Sequence, residues 1–164
     1  MKVRAWVRSR FVTVDAVYGL ILYAALVAGV SDSHTDSFEV LWFSLSSLVV
    51  FWGAHVFAGT VVRHGETDGV TTRLRSAIWL SIGASSGMLY AAILPSVPLV
   101  LGAFHLLSTD DAVNYSLLAS MLTLGVMGYQ SFARRGKSVI IRILGALGTA
   151  SFGFLVILIN YLAH

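Results

Sequence analysis

Five long apolar runs dominate the sequence, and they restrict this chain to a fold built inside a lipid bilayer. Each run has the ~20 residues that an α-helix needs to cross ~30 Å of hydrocarbon. Only a helix satisfies the backbone of such a run in lipid. The runs cover about residues 11–30, 40–62, 76–104, 112–133 and 143–163. The sequence therefore predicts an all-α fold, a polytopic membrane helix bundle of five transmembrane helices that forms a single transmembrane domain over residues 1–164.

The distribution of charge predicts how the bundle is oriented. Only 12% of the 164 residues are charged, about half the proportion in soluble domains, which is about 25%. The acidic residues Asp32, Asp36, Glu39, Asp110 and Asp111 fall in the alternate linkers, where Lys and Arg are absent. By the positive-inside rule the N-terminus is cytoplasmic and the C-terminus extracytoplasmic. The basic residues are Lys2, Arg4, Arg8, Arg10, Arg63, Arg73, Arg75, Arg134, Arg135, Lys137 and Arg142.

The net charge of +3 is therefore explained by basic residues on the cytoplasmic side of the membrane. We expect this chain to contact membrane lipids and not to bind nucleic acid. The plasma membrane is the expected location of this multi-pass chain. The N-terminal ten residues resemble the start of a signal peptide, but the apolar run that follows reaches Val30 and carries Asp15. We therefore expect the first run to be retained as a transmembrane helix.

The third run is longer than one crossing requires. Residues 76–104 would form a helix of ~43 Å and contain Pro95 and Pro98. Each proline removes a backbone N–H and disfavours a helical residue before it. These features predict a break near 95–98 or a kink near Leu94, with residues 99–105 at the outer interface or folded back. Re-entry of residues 95–105 into the membrane remains an alternative.

Small residues recur at the four-residue spacing that lets membrane helices approach closely. Gly83 and Gly87 form a GxxxG pair, and Ala146 and Ala150 repeat the interval on the last helix. Such ridges pack helices together without a hydrophobic driving force. We expect these four residues to mediate helix packing, and we expect the chain to form a homo-oligomer through small-residue faces that remain available.

An ionisable residue in each of the first two helices marks the candidate functional site. Asp15 lies five residues after Arg10, ~7.5 Å deep, and His55 lies eight residues before Arg63, ~12 Å deep from the same surface. If the two helices are neighbours, Asp15 and His55 can form an inter-helix polar pair. Tyr18 and Trp52 lie on the same helix faces as the pair and are predicted to complete a polar patch.

Other chemistry has little support in the sequence. A structural role for Asp15 with Arg8 or Arg10, and a direct role of the patch in transport, both remain open. The absence of cysteine excludes thiolate metal sites and thiol catalysis. No nucleophile or phosphate-binding motif occurs, and the remaining histidines lack metal-ligand spacing. We therefore expect no enzymatic activity, no cofactor and no metal.

Three short stretches resemble a known family. "DAVYGLIL", which begins at Asp15, and "WGAH", which contains Trp52 and His55, are similar to motifs of the transmembrane protein 175 family of potassium channels. "LPSVPLVLG", which begins at Leu94, is similar to the proline-bearing end of that family's third helix. The resemblance departs from the family pattern at Val14, where that family has serine. A second resemblance is to a group of small integral membrane proteins of actinobacteria, which implies a bacterial source.

The first resemblance implies an ion-conducting function. It implies that Leu20 lies where the family has a pore-lining isoleucine, and that Asp15 and His55 brace the pore helix. We therefore expect an oligomeric ion channel or transporter for a monovalent cation such as potassium. The alternative is a non-catalytic scaffold or accessory subunit of a larger membrane complex. First helices that line a shared axis would favour conduction, and first helices buried inside each protomer would favour the scaffold.

Overall fold

A computed structural model describes residues 13–30, 36–65 and 74–163. These residues form five α-helices and no strand, which confirms the predicted all-helical bundle. The helices are α1, Val14–Val30; α2, Ser37–Gly65; α3, Leu74–Ala103; α4, Thr109–Ala133; and α5, Val139–Ala163. The predicted boundary at residue 11 lies outside the described residues.

The helices are long and apolar enough to identify a multi-pass membrane protein. Four of those in the described ranges, α2 to α5, meet the length and hydropathy expected of a membrane span. α1 has 17 residues, which corresponds to a length of ~25 Å. The fifth crossing and the direction of insertion remain predictions.

Hydroxyl groups and left-handed turns set the helix ends. Thr13 accepts a hydrogen bond from the backbone N–H of Ala16 at 3.1 Å, which caps α1. Ser108 caps α4 in the same way, since its Oγ accepts from the N–H of Asp111 at 3.2 Å. The turn between α4 and α5 contains Gly136 with φ 65°, a conformation in which glycine carries no steric cost.

α1 is the central helix of the bundle. Successive helices from α2 to α5 are neighbours, and α1 contacts all four of them. Its inward side contributes Leu20 and Tyr23 to a core shared with α3 and α4, and both side chains are fully buried. α2 and α5 bury few of their residues, so most of their surface is free to contact lipid or another protein.

Close backbone approaches at small residues hold the helices together. Gly19 on α1 lies against Met88 on α3, and Gly153 on α5 lies against Met121 on α4. Gly125 faces the Ala146 and Ala150 ridge, since a Cβ on Gly125 would lie 3.6 Å from the Cβ of Ala150. The Ala146 and Ala150 ridge is therefore used inside the chain.

The other predicted ridge is on α3. Gly87 is buried and Gly83 is half-buried within the single chain. The packing expected at Gly87 is therefore also internal, and a bulky residue there would disturb the fold before it disturbed any assembly.

The break expected in the third helix is absent. α3 continues from Leu74 to Ala103 through Pro95 and Pro98, so the prediction of a break near 95–98 was wrong. The chain leaves the helix only at residues 104–108, where His105 has φ 58°. Transmembrane helices tolerate proline when neighbouring groups compensate for the lost backbone bond. The carbonyls that lose their usual donor are those of Ala91 and Leu94, so the bond from the Ser96 hydroxyl to the carbonyl of Ile93 at 2.9 Å does not replace either lost bond.

Candidate functional site

The structure brings Asp15 and His55 together. Oδ1 of Asp15, in the first turn of α1, lies 3.2 Å from Nε2 of His55 on α2. The distance suits a hydrogen bond in which the imidazole donates to the carboxylate, with added ionic character when the imidazole is protonated. The contact links two helices whose residues lie 40 positions apart.

Both members of the pair reach the outer surface of the chain. The side chain of His55 is 45% exposed and that of Asp15 is 24% exposed. Ionisable groups in membrane helices almost always face the interior of the bundle or a water-filled cavity. This pair instead lies at an edge of the bundle, where α1 and α2 meet.

Tyr18 covers one side of the pair. Its ring lies 6.3 Å from the imidazole of His55, centroid to centroid, with an interplanar angle of 27°. Tyr18 is itself half exposed. The stacking places an aromatic ring beside the imidazole that bonds to Asp15. Tyr18 is thus a direct neighbour of the pair.

Trp52 does not hydrogen-bond to the pair. Its side chain packs against the apolar cluster that contains Tyr23 and Leu48. The indole Nε1 is buried, and no group in the described part of the chain accepts from it. Trp52 therefore contributes apolar packing between α2 and the core, and its N–H contributes nothing to the polar patch.

Arg63 was not part of the patch expected from the sequence, and the structure gives it a hydrogen-bond partner on α3. A guanidinium N–H of Arg63 donates to Oγ of Ser81 on α3 at 2.6 Å. The same nitrogen lies over Gly59, because a Cβ there would be 3.2 Å away from it. Gly59 is one turn along α2 from His55, so the guanidinium is offset from His55 by ~6 Å along the helix axis.

The direction of Arg63 is unusual for a residue near a helix end. Long basic side chains normally extend towards the interface. Arg63 folds back over the preceding turn of α2, and Gly59 leaves room for it. The spacing of His55, Gly59 and Arg63, each four residues apart, was the signal in the sequence that could have revealed this arrangement.

Leu20 does not occupy the predicted position at a pore. It is fully buried inside the chain, in a cluster with Ala16, Ala91, Leu124 and Met127. A side chain enclosed by its own protomer cannot line an axis between protomers. The prediction of a constriction at Leu20 was wrong, because its face of α1 packs against α3 and α4.

The described residues contain no group of three His, Asp or Glu side chains that could hold a metal ion. Comparison of the chain with protein-family models, curated proteins and solved structures found no match.

Proposed function

We propose that this protein is a non-catalytic integral membrane subunit that binds other transmembrane helices through one face of α1 and α2. We call this face the pair face and define it by Asp15, Tyr18 and His55. The observation that carries the proposal is the exposure of the ion pair, with 45% of the His55 side chain and 24% of the Asp15 side chain accessible.

The energetic argument concerns what covers the pair in a bilayer. A charged side chain costs ~2.5–3.5 kcal/mol at the centre of a transmembrane helix and less near its ends. Asp15 lies in the first turn of α1, so the free-energy cost of its carboxylate is smaller than it would be at the helix centre. A protein partner that contacts the pair face replaces lipid around both groups and lowers that cost.

The packing of the interior supports a subunit without its own ion path. α1 occupies the centre of the bundle, and Leu20 is enclosed there. Buried hydroxyls on α4 bond to carbonyls of their own helix, as Ser120 does to Ser116 at 2.9 Å and Thr123 to Ala119 at 2.7 Å. The protons of these two hydroxyls are therefore satisfied within their own helix.

A photo-crosslinking residue at position 18 tests the proposal in native membranes. The matched control is position 144 on α5, because Leu144 is also exposed and also lies near the start of its helix. We expect defined protein adducts from position 18 and mainly lipid adducts from position 144. Lipid adducts alone from both positions would contradict the proposal.

Ion conduction is the second candidate function, and one observation favours it. The contact between Asp15 and His55 joins α1 to α2, as the resemblance to the potassium channel family implies. Purified protein in liposomes, with potassium, sodium and proton fluxes measured separately, distinguishes the candidates. Flux that falls in Asp15→Asn relative to wild type would favour conduction, whereas no flux from folded protein favours the subunit.

A further inference from the structure

We infer that the partner on the pair face is a second copy of this chain, related by a two-fold axis along the membrane normal. The inference rests on the proposed function, because it names the partner that covers the pair. In this dimer Asp15 of each copy meets His55 of the other. The site is therefore complete only when two copies are present.

The pair is complementary to itself. Oδ1 of Asp15 bonds to Nε2 of His55 in the same chain. Within the described residues, Oδ2 of Asp15 and Nδ1 of His55 have no hydrogen-bond partner. A protonated imidazole donates from both nitrogens, so Nδ1–H of one copy can donate to Oδ2 of the other. A two-fold axis repeats this bond, since in such an interface residue i contacts j and j contacts i.

The resulting ring of four side chains has no net charge. Two carboxylates and two imidazolium groups balance, and each imidazolium N–H has an acceptor. Buried charges are tolerated when they are paired and hydrogen-bonded. An unrelated partner helix would need its own polar residue at a matching depth, whereas a second copy inserted in the same direction carries the same pair at the same depth.

The surface beside His55 permits close approach. Ala54 and Ala58, one turn apart on α2, are both exposed. Small residues at this spacing allow two membrane helices to approach closely. The Ala146 and Ala150 ridge is already packed against Gly125 of the same chain. Ala54 and Ala58 are thus exposed next to an ion pair whose Oδ2 and Nδ1 have no partner among the described residues.

Cysteine crosslinking in membranes tests the dimer, because the chain has no native cysteine. We expect Ala58→Cys to form a disulfide-linked dimer under mild oxidation. Leu147→Cys, on the exposed side of α5, is the control and should stay monomeric. Energy transfer between labelled copies in liposomes then measures the dissociation constant. We expect His55→Leu to raise this constant at least tenfold.

Ala58→Leu provides a second variant in case His55→Leu does not fold. It enlarges an exposed residue and leaves the ion pair intact, so we expect a folded chain with weakened dimerisation. A monomer in liposomes, with position 18 crosslinked to a different protein in native membranes, would overturn the inference and leave the proposed function standing. A monomer with only lipid adducts at position 18 would overturn both.

Discussion

Gly19 on α1 lies directly against the backbone of Met88 on α3. A Cβ at position 19 would be 2.7 Å from the Met88 Cα and 2.8 Å from its carbonyl oxygen. Backbone atoms cannot move aside as a flexible side chain can, so we expect Gly19→Ala to separate α1 from α3. Overpacking of this kind costs ~1–3 kcal/mol, measurable as a lower unfolding temperature in detergent.

Gly29 is the control for that substitution because it lies on the same helix. A Cβ there would meet no atom within 4 Å. Gly29→Ala should therefore leave stability unchanged or raise it by about 0.5–1 kcal/mol, through the higher helix propensity of alanine. Equal losses of stability in Gly19→Ala and Gly29→Ala would show that the contact with Met88 is unimportant.

The contact between Asp15 and His55 should appear as a coupling energy. Asp15→Asn should destabilise the fold only mildly, because the amide still accepts a hydrogen bond. His55→Leu should destabilise it more, because it leaves a carboxylate without its partner. The double variant should lose less stability than the sum of the single variants. Hydrogen bonds between membrane helices are worth ~0.6 kcal/mol on average and ~1.7 at most.

The measurement is chemical unfolding in lipid, at protein-to-lipid ratios low enough that copies remain separate. The double-mutant cycle compares the stabilities of wild type, both single variants and the double variant. Purely additive losses would refute a direct interaction between the two side chains.

The bond between Arg63 and Ser81 should depend on Gly59. Ser81→Ala removes the acceptor at 2.6 Å, and we expect a loss of ~1 kcal/mol. Gly59→Val places atoms where the guanidinium lies and should already break the bond. Ser81→Ala should then cost little more when it is added to Gly59→Val.

Gly53→Val is the matched control on the same helix, because a Cβ at Gly53 meets no atom within 4 Å. Gly53→Val and Gly59→Val change the intrinsic helix propensity of α2 by the same amount. Full additivity of Ser81→Ala with Gly59→Val, measured by thermal unfolding, would place the guanidinium elsewhere.

The topology predicted from charge can be tested with single cysteines in the linkers. Ser108→Cys and Lys137→Cys lie in turns at opposite ends of α4. An impermeant thiol reagent applied to intact cells should label position 108 and not position 137. The other two linkers give a second comparison, in which position 34 should be labelled and position 68 should not. Labelling of positions 137 and 68 but not of positions 108 and 34 would show that the chain is inserted in the opposite direction.

Hydropathy predicted the helices well and their ends less well. The runs at 112–133 and 143–163 correspond to α4, Thr109–Ala133, and α5, Val139–Ala163. Both helices begin earlier than their predicted runs, because polar residues extend α4 and because α5 includes Arg142 and the three apolar residues before it. Ser108 caps α4, and Asp110 and Asp111 favour its N-terminal turn. Apolar runs indicate where a helix meets hydrocarbon, and capping side chains decide where it begins.

The membrane depths calculated from residue spacing placed Asp15 and His55 within one helical turn of each other, and the structure places the two side chains in contact. The same arithmetic carried no information about which face of α1 is inside. Leu20 follows Ala16 by one turn on the buried face, and an almost wholly apolar helix has no polar side to reveal that face. The path of Arg63 was not predicted, although its four-residue spacing from Gly59 was visible in the sequence.

The central position of α1 has a consequence for biosynthesis. α1 is synthesised before the four helices that surround it, so the bundle is assembled outward from its first member. Asp15 leaves the ribosome 40 residues ahead of His55 and has no imidazole to bond until α2 follows. The ionic contact between α1 and α2 can therefore form only after both helices have been synthesised. The carboxylate that marks the first helix therefore depends on the second helix for its bonding partner.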